Sequence, residues 1–299
     1  MIQLDNVTKL YGQHIAVRDL DLSVREGEIM GLIGQNGAGK STTLKMIAGL
    51  MTPSNGTVRV MGRDMSTPAG ARYVKQRLGY LPEESALYGN MQILDYLVFF
   101  GRLYGLPAGD AAQRAHSLLE ALDLPATDKL IADLSKGMRR KVAIARMLLH
   151  DPALLILDEP NSGLDPLTAA FIIRYLRTLA AEGKTILLSA HNLFHIETIC
   201  DRVTIIKDGQ VMISDTMDAI RSRMGRREYE ITFQSLDALD FPVEHGDYVF
   251  RTGDIAAFTT MLTTIEARQW TLVQVRTMES ALEEIYVDLV TPPANQPQP

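Results

Sequence analysis

Two hydrophobic periods alternate along this chain. IQLDNVTKLY (2–11) and VRDLDLSV (17–24) alternate apolar with polar residues, the period of a half-buried strand. EIMGLIG (28–34) is a short apolar run ending in glycine, the pattern of a strand buried on both faces. KSTTLKMIAGL (40–50) switches to helical spacing, with Gly49 near its end and Pro53 just beyond. ALLILDEP (153–160) and KTILLSAH (184–191) are again buried strands, and between them FIIRYLRTLAAEG (171–183) is an amphipathic helix closed by Gly183. Strand, loop, helix and strand in this order predict an α/β core with a parallel sheet.

From about Ser85 to His150 the texture changes. DYLVFFGRLYGL, AAQRAHSLLEALDL and RRKVAIARMLLH all carry helical spacing and no strand pattern intervenes, so a helical subdomain inserted into the α/β core is expected over about 85–150. The first domain is expected to span 1–220. The basic run RSRMGRR (221–227) reads as a solvated linker. Beyond it YEITF, YVFRT, IAAFTTMLTTIEA, TLVQVRT and ESALEEIYVDLV predict a small α+β domain over 228–290. The tail TPPANQPQP (291–299) is polar and proline-rich, the composition of a disordered segment.

Composition narrows the class. Apolar residues make up 46% of the 299, enough for a packed core. No apolar run approaches the roughly 18 residues a membrane helix needs, and MIQLDNVTKLYG lacks the basic start and apolar stretch of a signal peptide; a cytoplasmic protein is expected. The net charge of −6 gives no support to general nucleic-acid binding. The single cysteine, Cys200, excludes an internal disulfide and a cysteine-cluster zinc site, and reads as a small buried hydrophobe.

The chemistry concentrates in two places. Gly34 to Ser41 reads Gly-Gln-Asn-Gly-Ala-Gly-Lys-Ser, which fits G-x-x-x-x-G-K-[ST] between an apolar strand and a helix. Gly34, Gly37 and Gly39 let main-chain N–H groups, with those of Asn36 and Ala38, converge on phosphate oxygens where a side chain would clash. The helix N-terminus adds the positive end of its dipole. Lys40 would reach the β- and γ-phosphates of ATP, Ser41 would offer its hydroxyl to Mg²⁺, and Thr42 would touch the α-phosphate side. The second place is the strand LLILDE, which delivers Asp158 and Glu159 to its C-terminal end, where α/β sheets keep their ligands. Asp158 would hold Mg²⁺ through water, and Glu159 would act as general base on the attacking water.

Upstream of that strand lies LSKGM (134–138), running into the helix RRKVAIARMLLHDP. Here the sequence resembles the nucleotide-binding subunits of ABC transporters, whose motif LSGGQ stands about twenty residues before the acidic strand. Further elements fall in the family's order: Tyr11 at the adenine-stacking aromatic, YLPE (80–83) at the Q-loop, SGLD (162–165) at the D-loop and His191 at the switch histidine. The resemblance covers about residues 2–220. It implies a P-loop ATPase core with an antiparallel N-terminal β subdomain. It implies a head-to-tail dimer, with a second copy or a paralogous ATPase subunit, in which Ser135, Lys136, Gly137 and Met138 face the partner's ATP and Asp165 touches the other subunit. It also implies that His191 contacts the γ-phosphate and that separate membrane-spanning permease subunits dock on the segment holding Tyr88, Tyr96, Phe99, Phe100 and Tyr104, at the cytoplasmic face of the membrane. His195, one turn beyond His191, reads as structural or exposed.

The sequence departs from the family's pattern at four places. Glu83 replaces a glutamine that contacts Mg²⁺ and water, Lys136 replaces the first glycine of GG, Met138 replaces the glutamine of LSGGQ, and Asn161 replaces a threonine. YLPEE, SKGM and the small C-terminal domain are similar to the subfamily serving ABC-2-type exporters. The alternative class, a soluble ABC ATPase of translation or DNA repair, is characterised by two cassettes, a long coiled coil or zinc cysteines, none of which the sequence contains.

Overall fold

The computed structural model describes residues 1–125, 129–190, 193–225, 227–279 and 282–290. His191 and the tail 291–299 lie outside the described residues, as does the side chain of His195. The chain divides into two compact units, Met1–Thr216 and Met217–Pro299.

In the first unit β1 (Ile2–Tyr11) and β2 (His14–Val24) form the antiparallel pair that their alternation predicts, in the register Ile2↔Val24 and Leu4↔Leu22. β4 (Asn55–Val60) pairs with the other edge of β1, and β5 (Arg63–Asp64) extends it. The second sheet runs β10-β9-β3-β8-β7-β6. Its members are β3 (Ile29–Ile33), β6 (Leu78–Leu81), β7 (Leu154–Asp158), β8 (Thr185–Ala190), β9 (Arg202–Lys207) and β10 (Gln210–Thr216). All neighbours are parallel except β9 and β10. Every residue of β3 and β7 is buried, which is why their sequences are continuously apolar instead of alternating.

Helices α1 (Lys40–Ile47), α2 (Pro68–Lys75), α6 (Pro166–Ala181) and α7 (Leu193–Ile199) connect these strands. The main core joins the inner face of the antiparallel sheet (Ile2, Leu4, Leu22) to β3 through Met30 and Leu32 and to α1 through Leu44, Met46 and Ile47. The expected helical insert is present as α3 (Ile93–Leu103), α4 (Ala108–Ala121) and α5 (Lys136–Leu148). Cys200 is buried, as expected, and burial pushes its thiol above the ordinary range.

The second unit corrects the linker. The run from 221 is not solvated coil: helix α8 spans Met217–Met224 and strand β11 (Arg227–Gln234) follows almost at once. Met217 and Ile220, one turn apart, are buried on one face. Asp218 sits in the first turn and Arg221 and Arg223 in the last, the signs that the helix dipole favours. Arg221 and Arg223 therefore finish a helix, Arg227 opens β11, and the unit boundary falls at 216/217. β12 (Val243–Glu244), β13 (Asp247–Thr252) and β14 (Thr271–Glu279) complete an antiparallel sheet in the order β12-β13-β11-β14. Helix α9 (Ile255–Ala267) lays Met261 and Ile265 over Ile231 and Phe233, and Trp270 stacks on Phe233 at 5.1 Å. Helix α10 (Leu282–Val290) packs with α8.

Candidate active site

The phosphate loop runs from the end of β3 into α1. Gly39 is the residue before the helix, with φ at 101°, and no side chain caps the helix there. A Cβ on Gly39 would stand 2.6 Å from the Ala16 carbonyl oxygen, so the loop presses onto β2 more closely than any other residue type allows. The turn between β9 and β10 packs on the same part of β2 and ties it to the loop: Gly209 N–H donates to the Ala38 carbonyl at 3.1 Å, and Arg18 N–H donates to the Gly209 carbonyl at 2.9 Å. The first N–H groups of α1 are thereby directed to a cleft, and such groups bind anions.

Lys40 is 6% exposed. Its ammonium donates to the carbonyls of Gly34 (2.7 Å) and Gln35 (3.2 Å) and lies 3.8 Å from a carboxylate oxygen of Glu159. Burial lowers its pKa, while Glu159, Asp158 and Glu83 act to raise it. Three acids thus focus on one buried cation, an arrangement that a phosphate chain can enter by displacing neutral carbonyls.

The acids are set by their strands. Asp158 ends β7, and its carboxylate accepts a 2.6 Å hydrogen bond from the Ser189 hydroxyl. The same hydroxyl oxygen accepts from Glu159 N–H at 3.0 Å. Glu159 takes φ 49°, a left-handed conformation that is costly for a residue with a Cβ. Glu83 follows β6, one strand over; the Ser162 hydroxyl donates to it at 3.5 Å. Arg140 of α5 reaches the backbone of both turns, with hydrogen bonds to the carbonyls of Glu83 and Glu159.

One cleft of about 810 Å³ brings together Tyr11, the phosphate loop through Gln35, Asn36, Gly37 and Gly39 to Thr42, Glu83 and Glu159. Tyr11 is 47% exposed, its hydroxyl donates to Met51 Sδ at 3.0 Å, and the Lys9 ammonium stands 5.6 Å from its ring centre. The ring borders the cleft. Ser135, Gly137 and Met138 do not line this cleft. Ser135 caps α5 by accepting from Met138 N–H at 3.2 Å. Met138 thus contributes its backbone donor where its side chain offers none. Lys136 lines a second cavity of about 300 Å³ with Glu83 and Ser162, and its ammonium lies where a Cβ on Gly163 would be. Asp165 caps α6 by accepting from Thr168 N–H at 3.0 Å, which holds its carboxyl below the usual range.

Two residues of this site escape the motif reading. Ser189 is signalled only as a polar residue inside the apolar run TILLSA, and Arg140 is one of three consecutive basic residues. Neither reveals a partner until the strands are placed side by side.

The arrangement agrees with comparisons to known proteins. The family description for ABC transporters matches residues 17–162. A Nod factor export ATP-binding protein I of Cupriavidus metallidurans is 39% identical over 241 residues, 80% of this chain and 79% of that protein. The solved ATP-binding subunit of an ABC transporter superposes with a TM-score of 0.68 at 34% identity, covering 75% of this chain and 92% of that one. An ATP-binding cassette solved as a dimer in a post-hydrolysis state, bound to ADP and phosphate, gives 0.67 at 26% identity over 73% of this chain and 99% of that one. The nucleotide cleft, the paired acids and these relatives together establish that the chain belongs to the ABC transporter family, as an ATP-binding subunit that hydrolyses ATP to power transport.

Proposed function

We propose that this ATPase drives export through separate membrane-spanning permease subunits, with each ATP held between two cassettes of a head-to-tail dimer. The observation that carries the dimer is the separation of the two halves of the site. The phosphate loop and Glu159 share one cleft, while Ser135, Gly137 and Met138 stand outside it at the start of α5. A second copy or a paralogous subunit supplies that helix end to this chain's ATP. The dimeric relative bound to ADP and phosphate supports the arrangement, and the relative named for Nod factor export supports the direction.

In this reading Tyr11 stacks on adenine, and the N–H groups of Gly34 to Thr42 surround the phosphates. Lys40 exchanges the Gly34 and Gln35 carbonyls for β- and γ-phosphate oxygens. Glu159 takes a proton from water as its oxygen attacks the γ-phosphorus, and ADP leaves with the bond it breaks. The partner's signature residues, Ser135, Lys136, Gly137 and Met138 of its own chain, face the γ-phosphate: the first three donate to it, and Met138 N–H orients the Ser135 hydroxyl. Asp165 meets the other subunit, and His191 senses loss of the γ-phosphate. Such catalysis is positioning and charge neutralisation, and it needs no covalent intermediate.

Ser41, Glu83 and Asp158 present only oxygen donors beside the phosphate loop, the donor chemistry a hard cation requires, and Mg²⁺ uses one or two carboxylates plus phosphates instead of a closed protein cage. These residues would hold Mg²⁺, which when bound offsets charge on the phosphoryl oxygens. Glu83 in place of glutamine adds a negative charge there and strengthens cation binding.

Among the described residues no helix is long and apolar enough to cross a membrane. The docking face for the permease is the aromatic group around α3, where Tyr88, Phe99 and Tyr104 are exposed around buried Tyr96. An apolar helix from the membrane subunit fits such a surface, and it places this subunit at the cytoplasmic face.

The direct test is Glu159→Gln. ATP binding is retained and turnover falls by about 100-fold or more, the scale of a lost general base. Near-normal turnover would remove Glu159 from that role. Co-purification from native membranes, with a polytopic membrane protein in stoichiometric amount, tests the permease partnership separately.

A further inference from the structure

Arg140 lies five residues beyond Ser135 on α5, and it is 7% exposed. A guanidinium has five N–H donors, and here all five are used. Nε–H donates to the Pro160 carbonyl at 2.9 Å. One terminal nitrogen donates to Pro82 (2.7 Å) and Glu83 (2.9 Å), the other to Asp158 (3.2 Å) and Glu159 (3.0 Å). Every acceptor is a main-chain carbonyl. Asp158 ends β7, Glu159 and Pro160 follow it, and Pro82 and Glu83 follow β6, the neighbouring parallel strand. The ladder between β6 and β7 closes at Leu81↔Leu157, and beyond it the guanidinium joins the two strand ends.

This is an unusual use of a buried charge. Burial pulls the Arg140 pKa down to about 10, against the opposing pull of Asp158 and Glu83, so the group stays charged at neutral pH. Desolvating a cation is costly, and charge-assisted hydrogen bonds offset that cost only when the geometry is complete. The cation fixes the backbone of Glu159, already held in the left-handed region, and of Glu83, the two acids that flank the phosphates. It does so from the helix whose N-terminus carries Ser135, roughly 7 Å away along a rigid rod.

We propose that Arg140 is a positioning residue for ATP hydrolysis: it ties the signature helix to the backbone of Glu159 and Glu83, so that the seating of this chain's Ser135 end on the partner's nucleotide is transmitted to this chain's own hydrolytic site. The proposal rests on the reading that Glu159 is the base and that α5 faces the partner's ATP. It makes the two ATP sites of a dimer interdependent through one side chain in each subunit. A helix displacement that shifts these carbonyls moves the base, and a misplacement of about 1 Å at a reacting group can cost on the order of 100-fold in rate.

The test uses the full-length protein with Arg140→Lys and Arg140→Gln, measuring ATP affinity, KM, kcat, the Hill coefficient for ATP and the melting temperature. Lysine keeps the charge with three donors and lacks the planar fork; glutamine keeps two donors and no charge. Expected are an ATP affinity within about threefold of the parent, a kcat at least about tenfold lower, a Hill coefficient falling towards 1, and a smaller kcat loss in Arg140→Lys than in Arg140→Gln. Unchanged kcat and Hill coefficient in folded variants would overturn the proposal. So would a parallel loss of ATP affinity and kcat with a lowered melting temperature, or a failure of both variants to fold, since either assigns Arg140 to stability alone. Glu159→Gln assayed alongside reports on the base by itself: normal turnover there withdraws the base, while the Hill coefficient of the Arg140 variants still reports on coupling.

Discussion

At the scale of single residues, the site works by assigning each polar group a neighbour that leaves its reactive end in the cleft. Ser189 shows this most simply: one hydroxyl donates to Asp158 and accepts from Glu159 N–H, which orders two adjacent acids while their roles stay distinct. His150 shows the opposite case, a polar group with half its capacity unmet. Its ring stacks on Tyr104 at 3.9 Å, Nε2 is 3.1 Å from the Leu78 carbonyl, and Nδ1 is buried with no partner. The Leu78 contact requires a proton on Nε2, so a second proton on Nδ1 would meet no acceptor. Burial accordingly lowers the His150 pKa from 6.5. The folded protein then binds fewer protons than the unfolded chain just below that value, and stability must fall as pH drops through it. Thermal melting from about pH 8 to 5 should show a steeper acid loss in the parent than in His150→Gln, which keeps a donor for Leu78. Equal slopes would exclude His150 as a contributor.

At the scale of elements, helix starts recur as the functional joints. α1 begins without a side-chain cap and leaves its first N–H groups to the cleft, whereas α5 and α6 begin with Ser135 and Asp165 as caps. A motif position in the D-loop therefore also has a local structural duty. The two duties separate by substitution. Asp165→Asn keeps a good cap and should leave the melting temperature unchanged, while Asp165→Ala should lose about 1 kcal/mol of stability. If Asp165 also meets the other subunit, both variants lose ATPase activity cooperatively with dimer formation; an Asp165→Asn enzyme with parental activity would confine the residue to capping. The phosphate-loop motif made the start of α1 visible from sequence, whereas α6 begins at Pro166, five residues before the helix read from the apolar spacing of 171–183. The capping hydrogen bonds were not visible, because the same serine or aspartate can cap, turn or bind, and only the φ and ψ of the preceding chain decide which.

At the scale of the whole molecule, every proposed site residue lies within Met1–Thr216, and the second unit builds its own core on Ile231, Phe233, Met261 and Ile265. A chain ending at Thr216 should therefore fold and hydrolyse ATP at a rate within about an order of magnitude of the parent, since domains with separate cores fold separately. A fragment that aggregates or is inactive would show that the second unit completes the first. Comparing the dimerisation of the two forms assigns or withdraws a pairing role for the C-terminal unit.

The sequence by itself determined the chemistry and the class. The Gly34–Ser41 loop, the acids after LLIL and the order of motifs specify a phosphate-binding ATPase because glycine spacing and apolar runs are local properties, readable one segment at a time. The helical insert and the α+β unit followed from hydrophobic period for the same reason. The sequence misled at 221–227, where charge suggests solvent although Met217 and Ile220 supply a buried face just upstream. Only the tertiary structure decided which groups hold the site together. Ser189 stands 31 residues from Asp158, and Arg140 meets carbonyls 57 and 58 residues before it and 18 to 20 after it. Those partners are set by the order β6, β7, β8 across the sheet, and strand order is a property of the packed whole, since the same strands in another order would keep every motif and lose the site.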